Sequence, residues 1–99
     1  MSDLFKTGLV NIGFDAKTQT VTFTIGRDVL HVSRTEAEKY VTRLRDRKFP
    51  VIGGEIHATL PCQVDGEWYE WDFVFPLAEI PHHTGLVEQA LKQPVLRIN

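Results

Sequence analysis

Apolar and polar residues alternate most regularly over "IHATLPCQVDGEWYEWDFVF", residues 56 to 75, and the alternation reverses around Asp65-Gly66. That dipeptide suits a two-residue type I′ turn, in which both central positions need positive φ. A turn that tight sets Val64 opposite Glu67, and then pairs Cys62 with Tyr69, Leu60 with Trp71, Ala58 with Phe73 and Ile56 with Phe75. One face of the hairpin becomes apolar. Side chains alternate along a strand, so the other face collects His57, Thr59, Gln63, Trp68, Glu70, Asp72 and Val74. Pro61 has no N–H to give to a ladder, which predicts an edge strand or a bulge.

A second alternating pair precedes it. "GLVNIGF" and "QTVTFTI" fit a hairpin with a four-residue loop around Asp15 to Thr18, which sets Ile12 opposite Val21 and Val10 opposite Phe23. Thr20, Thr22 and Thr24 then line its outer face, where their β-branching explains them without a partner. "VLHV", residues 29 to 32, reads as another short strand.

The period then changes. Ser33 followed by Glu36 forms a capping box, and Ala37, Tyr40, Val41 and Leu44 recur at helical spacing, so a helix packs this stripe on the sheet. Phe49-Pro50 closes it, and "VIGG", residues 51 to 54, reads as a tight connection rather than a phosphate loop. "PHHTG", residues 81 to 85, introduces a second, shorter helix with Leu86, Val87, Ala90 and Leu91 available for burial; Pro94 ends it and "VLRIN" adds a terminal strand. Two hairpins and two helices predict an α+β fold with a mainly antiparallel or mixed sheet, one longer and one shorter helix packing against it. A doubly wound parallel sheet does not fit, because no Gly-rich loop follows a strand.

Composition sets the scale. The 99 residues, 42% hydrophobic, suffice for one core, so a single domain spanning 1–99 is expected. One cysteine, Cys62, excludes an internal disulfide and fits a reducing compartment. The start "MSDLFKTGLV" has neither a basic opening nor a long apolar run, and no stretch approaches about eighteen apolar residues, so the expectation is a cytoplasmic protein without a membrane span. The net charge of −2 hides an asymmetry. Residues 1–48 carry nine Lys/Arg against six Asp/Glu, whereas residues 49–91 hold seven acids and no Lys or Arg. Positive and negative zones on the surface are expected.

Candidate chemistry is sparse. Glu70 and Asp72 share a strand face, but paired acid catalysis needs carboxylates across a cleft, so a solvated face is the simpler expectation. His82 and His83, with His57, Cys62 or an acidic residue as a third ligand, lack a metal-site spacing, and Cys62 falls on the apolar face without a base beside it. No catalytic residue, cofactor or metal is therefore assigned. Lys39, Arg43 and Arg47, spaced four apart on the first helix, offer phosphates a stripe, interrupted by Glu36, Glu38 and Asp46. Trp68 is the outlier, a large ring on the polar face among Glu67, Glu70 and Asp72. An aromatic anchor with an acidic rim fits a noncatalytic protein-binding, inhibitory or adaptor module that recognises a basic partner surface. The alternatives are a homo-oligomeric structural or assembly protein, such as a homodimer, and a nucleic-acid binder using the basic helix.

Overall fold

The computed structural model describes residues 10–92. Strands β1 (Val10–Asp15), β2 (Thr20–Ile25) and β3 (Asp28–Ser33) form an antiparallel meander, followed by helix α1 (Arg34–Arg45). A short β4 (Val51–Ile52), the long hairpin strands β5 (Glu55–Val64) and β6 (Glu67–Pro76), a 3-10 turn (Leu77–Glu79) and helix α2 (Ile80–Leu91) complete the described chain. All strand pairings are antiparallel: β1-β2-β3-β5 run in order, β4 lies beside the start of β5, and β6 pairs with β5 on its other flank. This is the α+β architecture that the periodicities imply. The terminal strand proposed for "VLRIN" lies outside the described residues.

The β5–β6 register is the one that the Asp65-Gly66 turn dictates, from Val64 opposite Glu67 to Ile56 opposite Phe75. Both turn residues have positive φ, 51° at Asp65 and 83° at Gly66, as a type I′ turn requires. The β1–β2 register differs from expectation. Ile12 sits opposite Phe23, Val10 opposite Ile25 and Phe14 opposite Val21. The loop is four residues long, but it spans 16–19, one step later than the composition suggested. Gln19 closes it at φ 56°, while the Asp15 carboxylate accepts from the Lys17 amide, which holds its pKa below the ordinary value. The inward face is unchanged, because a shift of this kind preserves parity.

Pro61 is not at a bulge, since the β5–β6 register runs through it unbroken, and although β5 has neighbours on both flanks, the flank beside Pro61 is a local edge among the described residues. The narrow pair next to a two-residue turn directs the even-numbered N–H groups of β5 toward β6 and the odd ones away. His57 confirms the direction, donating to the Pro50 carbonyl at 2.8 Å. Pro61 therefore aims its nitrogen at the stretch between the β4 pairing at Ile56 and the β3 pairing at Gln63, where no ladder bond is lost.

Two further differences concern local elements. Residues 51–56 form a short hairpin in which Gly53-Gly54, both at positive φ, is the tight connection expected, while Val51–Ile52 adds a strand to it, with Val51 opposite Ile56. The helices are equal, twelve residues each, because α2 begins at Ile80 instead of beyond Gly85. Proline in the first turn is compatible with a helix, as its missing N–H would find no partner there.

The core lies between the helices and one sheet face. Ser33 caps α1 by accepting from the Glu36 amide at 3.1 Å, and Ala37, Tyr40, Val41 and Leu44 are buried as their spacing implies. From the sheet come Val21, Phe23, Leu30, Val32, Ile56, Ala58, Leu60, Cys62, Phe73 and Phe75, of which each Val, Leu, Ile and Phe contributes on the order of 1–3 kcal/mol by burial. Arg34 ties the layers together, donating to the Leu91 carbonyl at 2.7 Å with its guanidinium over the Phe14 ring.

Candidate functional site

The β6 ladder explains how the candidate residues are presented. Its odd-numbered residues bond to β5, a direction that Leu77 continues by donating to the Gly54 carbonyl. The backbone groups of Trp68, Glu70, Asp72 and Val74 consequently point away from β5, and among the described residues no strand pairs with that edge. Side chains at these same positions stand on the sheet face opposite the helices.

Trp68 is 66% exposed there. It ends a row running across five strands through Gly13, Thr22, His31, Gln63 and Trp68, in which neighbours are direct cross-strand partners. His31 is half-buried, its Nδ1 3.0 Å from the Thr20 hydroxyl. Glu70 and Asp72 are exposed beside Trp68 on the same face. An open depression of about 420 Å³, lined by Pro50, His57, Thr59, Asp72 and Val74, continues from Asp72 toward β4.

Glu67 belongs to the other face. It is exposed, and its carboxylate accepts from the Tyr69 hydroxyl at 3.5 Å. Tyr69 itself is 48% exposed although it opposes the fully buried Cys62, so the apolar face is not continuous to the hairpin tip. Both rings of the Trp68-Tyr69 pair are therefore accessible, one on each side of an edge strand, while Trp71 is partly buried against the core. Tyr69 was not singled out by alternation, which assigns a face and not a depth; its nearness to the turn was the available signal.

The other candidates are dispersed. Helix α1 ends at Arg45, and Arg47 lies beyond it at φ 54° with its guanidinium turned back on the Leu44 and Arg45 carbonyls, so the stripe through Lys39, Arg43 and Arg47 does not continue along a helix face. Lys39 pairs with Glu36 at 3.9 Å and Arg45 pairs with Glu88, leaving Arg43 exposed without an ion pair among the described residues. Burial pushes the Cys62 thiol up to about 11, the direction opposite to activation.

His82 and His83 part company, His82 exposed and His83 only 1% exposed. The His83 ring sits 4.6 Å from the Phe75 centroid, among Phe23, Tyr40 and Phe73, and its Nε2 is 2.8 Å from the Tyr40 hydroxyl. Desolvation, with a smaller contribution from His82, depresses its pKa to about 4, and burial raises that of Tyr40; both groups are neutral near pH 7. Among the described residues no three His, Cys, Asp or Glu side chains converge as a metal site, and no helix is long and apolar enough to cross a membrane. No family model, curated protein or solved structure matches this chain.

Proposed function

We propose that the protein is a small noncatalytic binding module, of the inhibitory or adaptor kind, that recognises a basic protein surface through β6. The observation that carries this reading is the exposure of Trp68 on an edge strand, beside Glu70 and Asp72 and on the face without helices. Burying that ring against a partner supplies affinity, while the acids select positive charge and orient the approach. Tyr69 and Glu67 extend the surface around the edge. No Lys or Arg occurs between residues 49 and 91 to neutralise it from within the hairpin.

Capture from cell extract, repeated after nuclease treatment and with Trp68→Ala and Arg43→Ala/Arg47→Ala variants, tests the reading. Nuclease-resistant capture of a basic protein, lost with Trp68→Ala and kept with the arginine variant, is expected. Capture that requires nucleic acid and the arginines contradicts it.

A further inference from the structure

We infer that the partner is taken up as an added β-strand on the edge of β6 that no described strand pairs, and that this added strand carries Lys or Arg at alternate positions. The inference rests on the proposed reading of Trp68 and specifies how that recognition is built. Its basis is the backbone: Trp68, Glu70, Asp72 and Val74 direct their N–H and C=O groups away from β5, and no described strand receives them. An edge of this length, unpaired among the described residues, is a template for an extended segment, which gains main-chain hydrogen bonds along its whole run.

Charge decides which segment. Glu70 and Asp72 project from the same face two positions apart, the spacing at which an added strand repeats its own side chains. Basic residues at alternate positions then meet both acids as cross-strand pairs, a favourable arrangement, while a residue further along lies over the Trp68 ring. Tyr69 and Trp71 flank the opposite face, where the intervening residues of the segment fall.

A second copy of this chain fits the edge poorly. Two β6 strands pairing about a two-fold axis keep their faces matched only in registers that set residues of like parity opposite each other. The registers with most overlap put Glu70 against Glu70, Glu70 against Asp72, or Asp72 against Asp72. Like charges directly opposite are unfavourable, so the acids that attract a basic strand also discourage self-pairing.

The test uses the full chain, isotopically labelled, with blocked synthetic peptides of alternating Thr and Lys. Saturable binding that weakens with salt is expected, with hydrogen exchange slowed by about tenfold or more at Trp68, Glu70, Asp72 and Val74 and unchanged at Tyr69, Trp71 and Phe73. A Thr-Glu peptide should not bind, whereas Glu70→Lys/Asp72→Lys, two exposed substitutions, should reverse that preference. N-methylation of the Thr-Lys peptide on alternate amides should abolish binding from one edge. Absence of Thr-Lys binding, binding without the alternating protection, or binding that survives methylation of both amide sets, each tested in turn, overturns strand addition. The capture experiment judges the Trp68 reading separately, since Trp68-dependent capture of a basic protein can stand when the peptide result fails.

Discussion

The two halves of β6 share one strand, one partner and one ladder, yet they have opposite fates. From Phe73 onward the inward rings are closed over by Tyr40 of α1 and His83 of α2, and both Phe73 and Phe75 are 1% exposed. From Glu67 to Glu70 every residue is exposed, including Tyr69 on the inward parity. The difference shows that strand pairing and burial are separate decisions: pairing chooses the face, and whatever packs above that face chooses the depth. The inner half stabilises the fold, and the outer half leaves its rings accessible.

Removing a ring from the inner half should therefore have the largest effect. Phe73→Ala, which opens a space beside Phe23, Tyr40 and His83, is expected to cost about 3–5 kcal/mol in urea unfolding. A loss below about 1 kcal/mol would mean that the inner half is not closed as described.

Acid should weaken the same half. His83 takes up its proton near the ordinary histidine value of about 6.5 when the chain is unfolded but only near about 4 when folded. Between those values the unfolded state binds more protons, so stability is fully present above about pH 6.5 and falls as the pH drops toward 4, by about 3 kcal/mol in total. Urea titrations across this range should show the slope in the native chain and not in His83→Gln.

How far the sequence reveals this division depends on the residues concerned. The β5–β6 register was legible because Asp65-Gly66 admits essentially one tight turn, and α1 was legible because Ser33 and the Ala37-Tyr40-Val41-Leu44 stripe agree. The β1–β2 register was offset because a four-residue loop of Ala16, Lys17, Thr18 and Gln19 carries no residue that marks its closing position as a glycine would. His83 was not legible as a core residue, because what buries it, the Phe23, Phe73 and Phe75 rings and the Tyr40 hydroxyl, comes from other elements. Trp68 was recognisable from parity alone, but the accessibility of Tyr69 depended on where the helices stop.

Smaller effects should follow the outer half. Gly66→Ala forces a side chain into the left-handed region at φ 83° and should cost about 1 kcal/mol, read as a lower urea midpoint, although open space surrounds the position. Trp68→Ala should change stability by no more than about 0.5 kcal/mol while removing partner capture. A large stability loss there would make Trp68 a structural residue and erase the contrast between the halves.

The central claim is that the outer edge of β6 is open. Residue-resolved hydrogen exchange on the free protein tests it most directly. Slow exchange at Trp71 and Phe73, whose amides bond to β5, alternating with fast exchange at Asp72 and Val74, whose amides point outward, is the expected pattern. Uniformly slow exchange from Trp71 through Val74 would show that the edge is already paired and would contradict the account.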